Sequence, residues 1–343
     1  MKCILHVGPP KTGSTTIQTF LRQNKKILLD RGILALTDNQ IPRKLPFIFK
    51  KNPRLTPWAK RMRLDQPSEM EKLKKEALGY IHNQIKKHKP ETLILSSEGL
   101  ARPSTTLRDY LQEYATDITI VYFLRRPDFR ALSSYKNNIR NTGFTGDIGT
   151  EYKGKLDDAK KIRALGNCFG HDRITPVICK DSHPDKAAAD GHIEALLKIL
   201  FGSANVTPDE FVLPGHRNIA WDYRAVYYMR EFNKIAESKP EFEQYRLAMA
   251  RLLQEHFSGG EKPRIRKSVA EGIIANYQAG WEDIRQQYFA HQDTLFHMDF
   301  SMYSEDTSAQ TFTPEDAVNV SLVLIESFLK DRKYKPHNYP ALQ

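Results

Sequence analysis

The chain has 343 residues, 27% charged and 40% hydrophobic, with a formal net charge of +11 that points to anionic partners. No apolar run approaches the ~18 residues of a membrane span, so no transmembrane helix is expected. Cys3, Cys168 and Cys179 are odd in number and lack paired metal spacing, which argues against a disulfide framework or a zinc site.

An apolar run, Cys3–Val7, leads into Gly8-Pro9-Pro10-Lys11-Thr12-Gly13-Ser14-Thr15-Thr16 and then a helical pattern, Ile17–Leu29. Strand, small-residue loop and helix in that order leave backbone N–H groups free at a helix N-terminus, with Lys11 and several hydroxyls beside them. Such a loop is suited to a phosphate-like anion. With the first strand beginning at Cys3 there is no room for a signal peptide, and a cytoplasmic location is expected.

A nucleotide P-loop reads GxxxxGK[ST], with Lys directly after the second Gly. Here Gly8 and Gly13 have the spacing, but Ser14 stands where the Lys belongs and Lys11 lies three positions earlier. The next apolar strand, Thr92–Leu95, runs into Ser96-Ser97-Glu98 rather than a metal-holding Asp. A kinase or nucleotidase using ATP and magnesium is therefore a second reading.

A strand at Ile33–Leu36 follows, then a basic insertion at 38–66. Arg43 to Arg63 holds eight basic residues and no acidic one, with Phe47, Phe49 and Trp58 interleaved, and Pro42, Pro46, Pro53 and Pro57 punctuate the insertion. It reads as a long irregular loop that steers an anionic glycan, its rings stacking on sugars. A nucleic-acid arm or a plain solvated loop are the other uses of such a composition, and a non-catalytic polyanion-binding protein is the third reading of the chain.

Helix formers with an amphipathic pattern fill Pro67–His88. Next come a strand at 92–96, a short helix near 105–115, a strand at 118–124 and a helix at 127–141. A helix at 156–168, a strand at Ile174–Cys179 and a helix at 189–201 complete the alternation, and helices at 219–237, 240–257, 265–288 and 314–332 end the chain. This alternation predicts an α/β fold, a parallel β-sheet flanked by helices. Residues 1–203 read as the core and 204–343 as a mainly helical extension packed on it, together one continuous domain.

Pro10-Lys11-Thr12-Gly13-Ser14-Thr15-Thr16 resembles the 5′-phosphosulfate loop of sulfotransferases that use 3′-phosphoadenosine 5′-phosphosulfate (PAPS). That family carries a second signature, Arg-x-Pro with a Ser eight residues after the Arg, which binds the 3′-phosphate. Arg125-Arg126-Pro127 with Ser133 has that form. Leu165–Gly170, with its Phe-Gly, and His216-Arg217-Asn218 more weakly resemble bacterial carbohydrate-type members. The resemblance implies a P-loop-like fold, PAPS as donor, no metal, and transfer to an acceptor hydroxyl on a glycan that can itself be anionic, with no nucleic-acid partner. It implies cofactor contacts from Lys11, Thr12, Gly13, Ser14, Thr15, Thr16, Arg125, Ser133 and Arg217.

Position supports part of this independently. Arg125 closes a buried strand, at the edge where open α/β sheets hold ligands, and its planar fork suits a phosphomonoester. Sulfuryl transfer needs a base for the acceptor hydroxyl and a cation on the leaving oxygen. Glu98, emerging beside the anion loop, is the candidate base, and Lys11 the cation. Glu98 could instead cap the next turn or pair with Arg102. Family members usually follow this Glu with Lys, whereas Gly99 stands here. His216 is the alternative base. For Arg217, a helix-entry position with Asn218 as cap is the competing role.

Overall fold

The computed structural model describes residues 1–330 except 39, 51–52, 54–55, 149–155, 186–189, 203–205, 216–220 and 308–309. Among these, five strands form one parallel sheet: β1 (Lys2–His6), β2 (Ile33–Ala35), β3 (Thr92–Ser96), β4 (Asp117–Leu124) and β5 (Ile174–Ile178), in the order β2-β3-β1-β4-β5. The helices, in chain order, are α1 (Ser14–Gln23), α2 (Lys25–Asp30), α3 (Ile41–Phe49), α4 (Pro57–Arg61), α5 (Pro67–His88), α6 (Thr105–Gln112), α7 (Pro127–Thr142), α8 (Asp158–Phe169), α9 (His192–Phe201), α10 (Tyr223–Ser238), α11 (Arg246–His256), α12 (Lys267–Ala275), α13 (Gln278–Tyr288) and α14 (Pro314–Lys330). The expected parallel sheet with flanking helices is what forms.

The chain divides into two units that alternate along the sequence. The first comprises Met1–Arg130, Leu156–Gly215 and Asn276–Met298; the second comprises Ala131–Lys155, His216–Ala275 and Asp299–Gln343. Both units thus draw on residues from either side of position 203.

The first unit holds the sheet. Cys3, Ile4 and Leu5 in β1 and Val121 to Leu124 in β4 are buried on both faces, as central parallel strands flanked by helices require. Ile4, Ile94, Val121 and Phe123 pack with Ile17, Phe20 and Leu21 of α1 and Ile193, Leu196 and Leu197 of α9. Tyr122 points to the other face, where its hydroxyl donates to Asp158 of α8 at 2.7 Å. On that side α8 contacts both α6 and α13. The chain leaving β1 therefore enters a helix on one face, and the chain leaving β3 enters one on the other. In open α/β sheets, ligands bind where two such loops diverge.

Several elements differ from the sequence expectation. The single helix expected over Ile17–Leu29 is two, because the buried Asn24 donates its side-chain amide to the Phe20 carbonyl and the Val212 carbonyl, each at 2.9 Å, and accepts from Val212 N–H at 2.7 Å. The span 265–288 also holds two helices, α12 and α13, one in each unit. The span 240–257 opens with a 3-10 stretch, Pro240–Tyr245, before α11.

The insertion at 38–66 is the largest correction: α3 and α4 lie where an irregular loop was expected. Pro42 and Pro57 sit in first turns, where the missing N–H costs nothing. Phe47 and Phe49 are buried, and Phe47 packs on Trp58 at 5.7 Å, so these rings build core rather than a sugar platform. Pro46, inside α3, cannot donate to the Pro42 carbonyl; the Ser97 hydroxyl does so instead, at 2.7 Å. That bond ties α3 to the turn carrying Glu98.

The second unit is helical. Tyr135 and Ile139 of α7 pack with Trp221, Val226 and Met229, Leu253 of α11, and Val320 and Leu324 of α14. The buried Asn233 amide of α10 donates to the carbonyls of Ile139 and Phe144 at 2.8 and 3.1 Å. No described helix is long and apolar enough to cross a membrane.

Candidate functional site

The loop between β1 and α1 is held open by backbone conformations that L-residues seldom adopt. Lys11 has φ 72° and Gly13 φ 85°, both left-handed. Gly13 is required twice over, since a Cβ there would also collide with the His192 ring. The buried Thr12 hydroxyl donates to the Pro9 carbonyl at 2.7 Å, closing the loop on itself. Its only hydroxyl proton is committed, so what Thr12 offers an anion is its backbone N–H.

Helix α1 begins with no side-chain cap and no acidic residue in its first turn. Ser14, the first helical residue, is 2% exposed, and its hydroxyl has no hydrogen-bond partner among the described residues. A buried orphan hydroxyl at an uncapped N-terminus is a costly arrangement until a ligand or an ordered water completes it, and the helix start favours an anion there. Thr15 is exposed and Thr16 half-buried on the same turn.

Sheet order sets the flanks. The β1 loop lies between the ends of β3 and β4, which carry Glu98 and Arg125. Ser97 N–H donates to the His6 carbonyl at 3.0 Å and Val7 N–H to the Val121 carbonyl at 3.1 Å, extending both pairings to the loop's base. Arg125 Nη1 donates to the Lys11 carbonyl at 3.1 Å, bringing the two sequence motifs into direct contact. The rest of its fork is held by Asp181, with Nε–Oδ2 at 2.8 Å and Nη2–Oδ2 at 2.5 Å. The neighbouring Arg126 is buried in a bidentate pair with Asp128 and also donates to the His297 carbonyl at 2.6 Å. Arg126 is thus structural, and Arg125 is the arginine that faces the loop.

Glu98 is half-buried in a single 3-10 turn, Glu98–Leu100. Its carboxylate makes no hydrogen bond or ion pair among the described residues. The alternative pairing with Arg102 does not form; Arg102 instead faces Lys50, whose ammonium is pushed below its ordinary value first by burial and then by that charge. Gly99 is close-packed under the Pro46 ring, leaving no space for a Cβ. Helix α3 therefore braces the turn that carries Glu98.

Ser133 belongs to the second unit and is half-buried in α7. His216 and Arg217 lie outside the described residues. Among the described residues, no three His, Cys, Asp or Glu side chains converge as metal ligands.

Two site residues had no signal in the sequence. His192, at the start of α9, stacks on Phe123 at 5.2 Å, lies 3.6 Å from Cys179 Sγ and bonds the Thr12 backbone carbonyl. Burial holds its ring below the ordinary histidine range; Asp181 opposes that shift and Arg125 reinforces it. Burial, and after it Asp181, raises the Cys179 thiol, so it stays protonated. His192 and Asp181 are brought to the loop only by tertiary contact.

Below the loop, His6 is fully buried, with Nδ1 2.8 Å from Ser96 Oγ and Nε2 unpartnered among the described residues. Its pKa is lowered to about 3, by burial first and then by His192. Between that value and the unfolded ~6.5 the native chain binds fewer protons, so His6 makes stability rise with pH across this window. Acidification below pH ~6.5 is expected to remove about 1.4 kcal/mol per pH unit through this group. Urea unfolding of wild type and His6→Gln from pH 7.5 down to 5 measures it. The Gln variant should show the shallower pH dependence, and parallel curves would refute the assignment.

No protein-family model matches the chain. No curated protein matches it either. Among solved structures it is similar to a sulfotransferase from Alicyclobacillus acidocaldarius, with 13% identity, coverage of 84% of this chain and 96% of that one, and a TM-score of 0.40. No family membership follows from a likeness at that level.

Proposed function

We propose that this protein is a sulfotransferase that uses PAPS as donor and a hydroxyl, on a carbohydrate, as acceptor. The observation that carries the reading is the contact between the two motifs: Arg125 donates to the carbonyl of Lys11, within a loop flanked by Glu98. The residues fit the donor's anionic groups, since the loop offers uncapped N–H groups, the orphan Ser14 hydroxyl and a left-handed turn that Gly13 permits.

When bound, the donor supplies an activated sulfuryl group and leaves as 3′,5′-adenosine bisphosphate. Lys11 and the start of α1, through Gly13 to Thr16, would hold the 5′ end and stabilise charge on the leaving oxygen. Arg125 would take the 3′-phosphate, with Ser133 and Arg217 as further contacts on the family pattern. Glu98 would accept the acceptor's proton. His192 buttresses the loop, its ring engaged within the protein by Cys179 and the Thr12 backbone.

Thermal melting with 3′,5′-adenosine bisphosphate, 5′-AMP and ATP–magnesium tests the donor class. At a hundred times its dissociation constant a ligand adds about 2.7 kcal/mol, a shift of a few degrees. Stabilisation by the bisphosphate is expected; stabilisation by ATP–magnesium alone would favour the kinase reading. Arg125→Ala is expected to weaken the bisphosphate about 10- to 100-fold, the worth of a charged hydrogen-bonded pair, and to spare 5′-AMP. Asp181 now occupies the same guanidinium, so Asp181→Asn is expected to tighten the bisphosphate about two- to fivefold, the scale of a partly exposed ion pair. Looser binding in that variant would mean that Asp181 orients Arg125 rather than competing for it.

A further inference from the structure

A groove of about 810 Å³ runs between α3 and α5, walled by Ile41 and Lys44 on one side and by Lys72, Lys75 and Tyr80 on the other. Lys72 and Lys75 are exposed and Lys44 is half-buried, so three ammonium groups line the opening, against the single carboxylate of Glu76. The Tyr80 hydroxyl is bonded to Asp38, whose carboxylate is ion-paired with Lys25.

Gly79 also lines the groove. It lies mid-helix, and a Cβ there would meet nothing within 4 Å, so packing does not demand a glycine. Glycine destabilises a helix interior relative to alanine, and one thing it permits in return is close approach to bare backbone.

Helix α3 connects this groove to Glu98. Ile41 and Lys44 face the groove, while on the other flank the Pro42 carbonyl accepts from Ser97 and Pro46 covers Gly99. Helix α3 lies between the two, and a helix diameter is roughly 10 Å, a length on the scale of a few linked sugar units.

We infer that the α3–α5 groove binds an acidic oligosaccharide, as the part of the acceptor that does not react. The inference rests on the sulfotransferase reading for the acceptor's role, though not for binding itself. The lining favours a glycan over a nucleic acid. It offers lysine point charges and the Asn83 amide, no arginine forks, and as its one aromatic ring Tyr80, tied to Asp38. Phe47 and Phe49 nearby are buried and unavailable for base stacking.

The test is binding of an oligogalacturonate of defined length to the full chain, measured by calorimetry at several salt concentrations. Lys72→Glu with Lys75→Glu is expected to weaken it at least ~10-fold and to leave the bisphosphate melting shift unchanged. Gly79→Gln, which fills the floor without altering charge, is expected to weaken it about fivefold. A neutral oligosaccharide of the same length should not bind. Unchanged affinity in both variants overturns the inference, as does equal affinity for a single-stranded oligonucleotide of matched charge. Loss of oligogalacturonate binding in the charge-reversed variant, with no bisphosphate stabilisation of wild type, would uphold the groove and remove the sulfotransferase reading.

Discussion

Glu98→Gln is expected to lower kcat about 10²- to 10⁴-fold, the range of a lost general base, while the affinity for 3′,5′-adenosine bisphosphate stays unchanged. The exchange is isosteric. Because the carboxylate makes no hydrogen bond or ion pair among the described residues, no native contact is broken and stability should be unaffected. Its position comes from the backbone: the Ser97 hydroxyl on the Pro42 carbonyl and the Pro46 ring on Gly99 fix the turn whichever side chain it carries. Single-turnover sulfuryl transfer, combined with nucleotide titration, separates chemistry from donor binding. An active Glu98→Gln enzyme would end the base assignment. A simultaneous loss of nucleotide affinity would mean that Glu98 helps shape the donor site instead.

The anion loop was legible because its demands are local. A loop that must bare its backbone at a helix start needs small residues and hydroxyls in consecutive positions, and Gly8 to Thr16 supply them. The strands were legible for a related reason: central parallel strands are apolar on both faces, and Cys3–Val7 and Ile118–Leu124 could not be solvated. Strand order then followed only from the structure, yet it is what sets Glu98 and Arg125 on either side of the loop.

Helix α3 was misread because four prolines in a basic stretch look like loop punctuation. Two of them sit in first turns, and the carbonyl left unserved by Pro46 is satisfied by Ser97, 55 residues away in sequence. No local pattern can announce such a donor. The same holds for His192 under Gly13 and for Asp181 on Arg125. Each is an ordinary polar residue whose meaning comes from a neighbour supplied by another strand.

Lys11 carries the second large effect. Both Lys11→Ala and Lys11→Gly are expected to lower turnover about 10²- to 10³-fold, the cost of removing one preorganised group that stabilises developing charge. The two variants should nevertheless differ in stability. Lys11 has φ 72°, a left-handed conformation that costs an L-residue about 1–2 kcal/mol. Alanine keeps that strain and glycine removes it, while glycine gives back about 0.4–1 kcal/mol through a freer unfolded chain. Whatever contacts the ammonium makes are lost equally in both, so their comparison isolates the backbone. Lys11→Gly should therefore exceed Lys11→Ala by about 1 kcal/mol in urea unfolding while being no more active. That outcome would show a strained position occupied for the sake of its side chain, as functional loops allow. If Lys11→Gly retained turnover, charge on the leaving oxygen would have to be met by the α1 N–H groups and Ser14 without the lysine. If the two variants were equally stable, the left-handed turn would relax once the side chain was gone, and the loop's shape would depend on Lys11 rather than on Gly13.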